Sequence, residues 1–228
     1  MDKFIVENNK LMKYVGKEIN ISIPFDVNEI SAYAFSNSEV KRIIIPLTCR
    51  KIGDFAFENS KKLEEIRIAY GLTEIGDFSF FGCDSLKSVL LPNSIKRIGK
   101  YAFKECGNLK EINLPYSLSE IENGLFENCE TIEKVLIPEN LTAINDTAFK
   151  GCKSLRKLVM PRKMKYIGKF SFLECEALSE VTLPDSLEVY PINSFELFRE
   201  IEFVSTNKSI IRKFEIQKNS LIRGLENE

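Results

Sequence analysis

The chain has 228 residues, of which 44% are hydrophobic and 29% are charged, a composition typical of a folded protein. Its 32 basic and 33 acidic residues nearly cancel, so neither nucleic acid nor an anionic membrane surface is favoured as a partner. Histidine is absent, which removes the commonest general acid–base group and the commonest zinc ligand and makes an enzyme less expected. The sequence also lacks the long apolar run that a transmembrane helix needs.

Residues 1–20 are predicted to form a β-hairpin that caps the first repeat. Two apolar stretches, residues 4–6 and 11–15, flank Asn8 and Asn9, and asparagine tolerates the positive φ of a tight turn. A flexible tail is the alternative. This segment has no apolar core of the kind found in secretory signals, so we expect a cytoplasmic location if the chain is complete. If the chain is a trimmed piece, we expect it at the cell surface or secreted.

A repeat of 23 residues dominates residues 21–204. Five prolines stand 23 apart, at Pro92, Pro115, Pro138, Pro161 and Pro184. Two aliphatic residues with one residue between them precede each proline position, and this alternation predicts a short strand with both members facing inward. The pairs are Ile21/Ile23, Ile43/Ile45, Ile66/Ile68, Val89/Leu91, Ile112/Leu114, Val135/Ile137, Leu158/Met160, Val181/Leu183 and, in a copy three residues short, Ile201/Phe203. A fixed period of this length predicts stacked repeats, with these strands forming one parallel sheet.

A second segment follows each proline position. Six residues later an aliphatic residue recurs, and in four copies the next residue is Gly53, Gly76, Gly99 or Gly168, which predicts a bend with unusual φ. A small residue and a phenylalanine come next, as in Ala102-Phe103, and we expect the small residue to let neighbouring coils approach while the ring fills the interior. This segment is predicted to be a second short strand or a helical turn.

Five cysteines lie 14 residues after the proline positions: Cys83, Cys106, Cys129, Cys152 and Cys175. The favoured interpretation is a row of buried, reduced thiols, because free cysteine behaves as a small hydrophobic residue. Disulfides between stacked positions and a metal site are the alternatives, although no Cys-x-x-Cys spacing is present. Cys49 lies at another repeat position and is also expected in the core.

These residues together resemble the BspA-like class of leucine-rich repeats. The shared marks are the strand ending in Leu-Pro, then Ile-Gly, then Ala-Phe, then Cys, and they cover about residues 21–204. The resemblance implies an α/β repeat solenoid dominated by β-structure, right-handed and curved, with its main parallel sheet on the concave face. It also implies a protein that binds other proteins or host surfaces.

Residues 205–228 break the repeat and are predicted to form an amphipathic helix. Ile211, Phe214, Leu221 and Leu225 recur at the spacing that places apolar side chains on one helix face. The helix is interpreted as a cap over the last coil. A helix that binds a partner or mediates self-association is the alternative.

The outward positions of the repeated strands are where binding specificity is expected. Most copies mix charged and apolar side chains there, and one apolar stripe is edged by positive charge, a pattern that marks interaction sites. The candidate residues are Leu90, Tyr116, Lys134, Leu136, Lys157 and Val159. Ordinary β-propensity on an exposed sheet surface is the competing explanation.

The predicted function is a non-enzymatic scaffold whose concave sheet face binds a protein partner of unknown identity, with surface adhesion as one use. No catalytic triad, phosphate-binding loop or paired carboxylate stands out, and no cofactor or metal is expected. The alternative is a carbohydrate-active or other enzyme with carboxylates on one rim of the solenoid, which would need two acidic residues close together in a pocket.

Overall fold

The computed structural model describes residues 3–189, 191–195, 201–213 and 215–216. They form a β-solenoid of about eight coils that stack parallel to one another. Each coil contains a first strand before the proline position, a second strand about six residues after it, and a stretch of tight turns that carries the repeated Phe and Cys. We call this last stretch the turn edge.

An N-terminal hairpin consists of β1 (Phe4–Glu7) and β2 (Lys10–Tyr14). The first strands are β3 (Asn20–Ser22), β5 (Arg42–Ile45), β7 (Glu65–Ile68), β9 (Ser88–Val89), β11 (Glu111–Ile112), β14 (Lys157–Val159), β16 (Glu180–Thr182) and β17 (Glu202–Val204). The second strands are β4 (Glu29–Ile30), β6 (Lys51–Ile52), β8 (Glu74–Ile75), β10 (Arg97–Ile98), β12 (Glu120–Ile121), β13 (Ala143–Ile144) and β15 (Tyr166–Ile167). A short 3₁₀ turn spans Ile192–Ser194.

The two kinds of strand form two separate sheets. The sequence predicted the first sheet, and for the second segment it predicted either a short strand or a helical turn; the structure shows a strand. First strands pair in the order β11-β9-β7-β5-β3 and again in β14-β16-β17, and we call this face the first-strand sheet. Second strands pair with the hairpin in β1-β2-β4-β6-β8-β10 and again in β12-β13-β15, which is the second-strand sheet. Equivalent residues lie opposite each other, as Ile43 does with Ile66, so the hydrophobic pattern sets the register.

The repeated phenylalanines form a continuous stack through the core. Phe35, Phe57, Phe80, Phe103, Phe126, Phe149 and Phe172 are all buried. Successive ring centroids are 4.9 to 5.9 Å apart, with ring planes at most 24° from parallel. Because neighbouring strands lie about 4.8 Å apart, one ring in each coil fills the interior without a gap.

The cysteines form the predicted row of buried thiols. All six are buried, and Cys49, Cys83, Cys106, Cys129 and Cys152 are free thiols. Each thiol from Cys83 to Cys175 donates to the carbonyl oxygen of the phenylalanine 26 residues earlier, at S–O distances of 3.0 to 3.2 Å. The row therefore links each coil to the one before it.

The predicted role of the repeated glycines is wrong. Gly53, Gly76, Gly99 and Gly168 do not have positive φ, which instead occurs two residues later, for example at Phe55 with φ of 57°. A Cβ atom at these glycines would lie 2.4 to 2.7 Å from a backbone nitrogen of the preceding coil. Glycine is needed because two backbones approach closely there.

Two strand predictions also need correction. The pair Val135/Ile137 forms no strand, and only an isolated bridge joins Asn113 to Leu136. In the last copy, Phe203 rather than Ile201 lies opposite Val181, so the pair predicted at Ile201/Phe203 is displaced by two residues. That copy is one residue shorter than the repeat, not three.

The N-terminal residues form the predicted hairpin. Asn8 and Asn9 have φ of 50° and 61°, β2 pairs with β4, and the ring of Tyr14 stacks on Phe35 at 5.4 Å. The hairpin covers the second-strand sheet, whereas β3 remains at the free edge of the first-strand sheet.

At the other end, residues 208–213 and 215–216 are helical, with Ile210 buried and Ile211 packed against the core. Phe214, Leu221 and Leu225 lie outside the described residues. The division of the chain at residues 20/21 and 204/205, and the role of the tail, therefore remain predictions.

Replacing a stacked ring is expected to be costly. Phe103→Ala should lower the free energy of unfolding by about 3–5 kcal/mol, because coils on both sides hold the cavity open. The matched control is Phe25→Ala, whose ring is 64% exposed and whose loss should cost less than about 0.5 kcal/mol. Urea denaturation of both variants measures the difference, and similar values for the two would contradict the stacked core.

The buried thiols predict a loss of stability at alkaline pH. Burial raises the pKa of Cys49 to about 11 and raises the pKa values of Cys83, Cys106, Cys129 and Cys152 well above their ordinary value of 9.0. Above pH 9 the unfolded thiols lose protons that the folded thiols keep. The stabilisation is therefore complete below pH 9, and the free energy of unfolding then falls by about 1.4 kcal/mol per pH unit for each thiol.

Denaturation at several pH values between 8 and 10.5 measures this slope, and Cys129→Ala is the control. The variant removes one thiol, so its free energy of unfolding should fall less steeply with pH, by about 1.4 kcal/mol per pH unit. Equal slopes for the variant and the native chain would show that the thiols do not cause the loss.

Removing the hairpin is expected to expose a sheet edge. Deletion of residues 1–17 should lower the melting temperature and promote self-association, because β4 loses its partner strand. Leu11→Ala is the control, because it keeps the strand but removes a fully buried side chain; it should cost about 2–5 kcal/mol without self-association. Circular dichroism and light scattering test both, and a truncated chain that stays monomeric and equally stable would exclude a capping role.

Candidate interaction surface

Large apolar side chains project from the first-strand sheet in the middle of the array. In the coil of Pro92, Val89 and Leu91 are buried, and alternation turns Leu90 outward. The exposed candidates are Leu90, Tyr116, Leu136 and Val159, at 79%, 67%, 66% and 55% exposure. The structure thus places the predicted apolar residues on the solvent side, where burying them needs a partner.

Two adjoining open grooves run over this surface. The first has a volume of about 600 Å³ and lies between Leu90 and Leu136, with Lys134 on its wall. The second, of about 640 Å³, is lined by Lys134, Leu136, Lys157 and Val159. Because Lys134 and Leu136 belong to both, the grooves form one continuous surface, which we call the central groove. Tyr116 lies on the turn after Pro115 and lines neither part.

Most charged side chains around the central groove are unusual in having no ion-pair partner among the described residues. Lys110, Lys134 and Arg156, and the acidic Glu111, Glu133 and Glu139, line the groove and make no ion pair within 4.0 Å among the described residues. Lys157, which also lines the groove, does form an ion pair, with Glu180 of the next coil. Nearer the N-terminus, neighbouring coils pair their charges as Lys41–Glu64 and Arg42–Glu65. The groove therefore presents free charge of both signs, where the sequence predicted a positive edge alone.

The backbone along the groove floor is also incompletely paired. Residues 134–137 form no strand, and an isolated bridge between Leu136 and Asn113 is the backbone pairing that joins them to the coil before. In the coil before, the Asn113 side chain replaces a ladder contact: its Nδ2 donates to Leu91 O at 2.8 Å, and its Oδ1 accepts from Leu91 N at 2.9 Å. The groove thus offers polar backbone groups as well as apolar side chains. The sequence did not reveal this, because the strand pattern continues unbroken through residues 134–137.

An enzyme that acts on carbohydrates would need a pair of carboxylates in one pocket, and the best candidates for such a pair are Glu111 and Glu133. Both line the first part of the groove, and both are exposed. A catalytic carboxylic acid usually needs a buried, apolar environment to keep its proton at neutral pH. No observation on this surface therefore favours glycoside hydrolysis.

Two further searches concern metals and membranes. Within the described ranges, no group of three or more His, Cys, Asp or Glu side chains could hold a metal ion. Over the same residues, no helix combines the length and the apolar character needed to cross a bilayer.

Solved structures of bacterial leucine-rich repeat proteins are similar to this chain. A leucine-rich repeat protein of T. pallidum, TpLRR, is 31% identical over 81% of this chain and 88% of its own, with a TM-score of 0.73. A leucine-rich cell surface protein of Faecalibacterium prausnitzii is 28% identical over 83% of this chain, with a TM-score of 0.69. A leucine-rich repeat protein of Bacteroides ovatus is 28% identical over 82%, with a TM-score of 0.61. The chain spans 54% and 59% of these last two proteins.

No curated protein matches the chain significantly. The model of the BspA type leucine rich repeat region, however, matches residues 9–133 and 119–221 with six copies. This match covers most of the sequence and includes the strands, the phenylalanine stack and the cysteine row described above. The chain therefore belongs to the family of BspA-type leucine-rich repeat proteins.

Proposed function

We propose that this chain is a non-enzymatic scaffold that binds an extended segment of a protein partner along the central groove. The observation that carries the proposal is the coincidence, on one stretch of the first-strand sheet, of exposed apolar side chains with charges that have no partner. Leu90, Leu136 and Val159 are the apolar anchors, and Lys134 lies beside them without an ion-pair partner among the described residues, whereas the neighbouring Lys157 pairs with Glu180. Tyr116 flanks the groove from the adjacent turn.

The energetics explain why several kinds of contact are needed. Burying one aliphatic side chain contributes about 1.5–3 kcal/mol, while association costs about 4–15 kcal/mol in lost freedom of motion. Three anchors alone therefore give weak binding. The unpaired charges of Lys110, Lys134, Glu111 and Glu133, together with the backbone groups of residues 134–137 that the Asn113–Leu136 bridge does not use, supply the additional contacts.

The geometry suits an extended peptide. Leu90 and Leu136 belong to coils that are two steps apart, which corresponds to about 10 Å at the usual spacing of strands. An extended chain covers that distance in about three residues. We therefore infer a segment with apolar side chains a few residues apart and charged residues of both signs around them.

The similarity to a leucine-rich cell surface protein supports a location at the cell surface, one of the two locations predicted from the sequence. Binding to a partner outside the cell, including adhesion, follows from that location. Labelling of intact cells with an antibody against this chain tests it, and a signal only after the cells are broken would favour the cytoplasm.

The anchors can be tested without loss of the fold. Leu90→Lys combined with Leu136→Glu should leave the melting temperature nearly unchanged, because substitutions at exposed sites usually change stability by less than about 0.5 kcal/mol. The same variant should bind at least about tenfold more weakly, because two apolar contacts are lost. The binding target is a set of peptides selected by display on the native chain, followed by isothermal titration.

The control introduces the same two charged residues outside the groove, as Phe25→Lys combined with Leu47→Glu. Both positions are exposed and lie in turns. The affinity of this control for the selected peptides should equal that of the native chain. Selected peptides that lack apolar residues, or equal affinity for both double variants, would exclude the central groove as the binding site.

A further inference from the structure

One interface between coils lacks the hydrogen bonds that join the others. In the second-strand sheet, the N–H of Gly76 donates to Ile52 O at 2.8 Å, and the N–H of Gly99 donates to Ile75 O at 2.8 Å. The equivalent N–H of Glu122 makes no backbone hydrogen bond among the described residues, and neither does that of Ser119. Pairing resumes in the next coil, where Asn145 donates to Ile121 O at 2.9 Å. The second-strand sheet is thus interrupted between β10 and β12.

Three contact positions of this interface depart from the residues of the regular coils, although the paired interface of β12 and β13 also has asparagine, Asn145 and Asn123, at the first two of them. Glu122 stands where earlier coils have glycine, and at Gly99 a Cβ atom would lie 2.5 Å from Asp77 N. Lys100 stands where Asp54, Asp77 and Asp146 accept a hydrogen bond from the N–H of the following coil.

The third change is in the core. Leu125 stands where the other coils have alanine or serine, and it is fully buried. The rings of Phe103 and Phe126 are 5.9 Å apart, against 5.1 Å between Phe80 and Phe103. Larger side chains and a lost acceptor thus coincide with a wider spacing, and Leu125 is the change that the paired interface of β12 and β13 does not share.

The first-strand sheet is weakened as well, but half a coil later. β9 and β11 pair over two residues, whereas a single isolated bridge, Asn113 to Leu136, joins the coil of β11 to residues 134–137. The second strands β12 and β13 of the same two coils are paired. Residues 111–133, which we call the hinge coil, are therefore joined by regular strand pairing to the N-terminal coils through the first-strand sheet and to the C-terminal coils through the second-strand sheet.

The turn edge remains closed on both sides of the hinge coil. Tyr101 N donates to Asn123 O at 2.9 Å, and Cys129 Sγ donates to Phe103 O at 3.0 Å. Lys104 and Glu127 form an ion pair at 3.2 Å in which both side chains are largely buried. On the other side, Phe126 N donates to Ala148 O at 2.8 Å. These contacts provide a fixed axis about which the two weakened sheet interfaces can widen or close.

We propose that the solenoid is jointed at the hinge coil, so that its N-terminal and C-terminal parts move as two units about the turn edge. Leu90 belongs to the N-terminal unit, and Leu136 lies beyond the weakened contact of the first-strand sheet, which its bridge to Asn113 crosses. Movement at the joint therefore changes the width of the central groove. This consequence for binding rests on the proposed function, whereas the joint itself does not.

The joint is testable on the free protein by amide hydrogen exchange followed by NMR. The amides of Ser119 and Glu122 should exchange at least about tenfold faster than the equivalent amides of Lys96 and Gly99 in the coil before, since exchange requires no opening of a hydrogen bond. Lys100→Asp combined with Glu122→Gly restores the residues of the regular coils and should slow exchange at positions 119 and 122. Adding Leu125→Ala should slow it further if the coils close over the smaller side chain.

The matched control creates the same interface elsewhere. Asp146→Lys combined with Gly168→Glu places lysine and glutamate at the paired interface of β13 and β15, and it should speed exchange at Lys165 and at position 168. Equal protection of the amides at 96, 99, 119 and 122 in the native chain would overturn the joint, even if the variants fail to fold.

A distance measurement tests the movement itself. Spin labels at Arg67→Cys and Arg162→Cys lie on either side of the hinge coil, and the buried native thiols are shielded from the label. A broad distribution of label distances in the native sequence, narrowed by Lys100→Asp with Glu122→Gly, supports the joint. Equally narrow distributions for both would show a rigid array. Either result leaves the peptide-binding test of the central groove independent.

Discussion

The spacing between neighbouring coils is the constraint on which this structure depends. Hydrogen bonds between parallel strands require about 4.8 Å, and stacked aromatic rings pack well at almost the same distance. One phenylalanine in each coil can therefore fill the core by stacking, at the same spacing at which the backbones form the hydrogen bonds of the sheets. Glycine at the end of the second strand suits the close approach of two backbones, as at Gly53, although Asn145 occupies the same position and still pairs with the coil before.

Because the inward side chains and the backbone hold the coils together, the outward side chains of the sheets contribute little to the fold. The core residues of each coil are determined by the coils on either side, whereas an outward residue such as Leu90 or Arg67 contacts mainly solvent. Near the N-terminus the outward charges pair between coils, as Arg42 does with Glu65. Around the central groove, Lys110, Lys134 and Glu133 make no ion pair among the described residues, although Lys157 pairs with Glu180. Most charges of the groove are therefore available to a partner, unlike those near the N-terminus.

The sequence predicted whatever depends on periodicity alone. The strand positions, the buried phenylalanines, the thiol row and the Asn8-Asn9 turn all follow from residues that recur at fixed spacing or from a local turn preference. These features need no knowledge of distances between coils, because every coil repeats the same environment.

What the sequence could not give depends on how closely two particular coils approach. The glycine prediction failed because a local turn preference was assigned to a contact between coils, and the strand at 135–137 failed although its own residues fit the pattern. The displaced register at Phe203 arises in the same way, since hydrogen bonding to β16 selects it. Of the candidate site, the exposed apolar residues were predictable from alternation, whereas the missing ion pairs around Lys134 required coordinates.

In a linear array each coil is stabilised only by its neighbours, so the strength of each interface acts locally. A weak interface at the end of such an array would merely fray, whereas one in the middle separates two stable units and allows them to move relative to each other. The interface beside the hinge coil is of the second kind, with ordered coils on both sides. A ligand that contacts residues on both sides of it supplies part of the missing interaction, and binding and closure then stabilise each other. In our proposal, the loss of regular pairing at Glu122 and at residues 134–137 gives the surface beside Leu136 a shape that a partner can adjust.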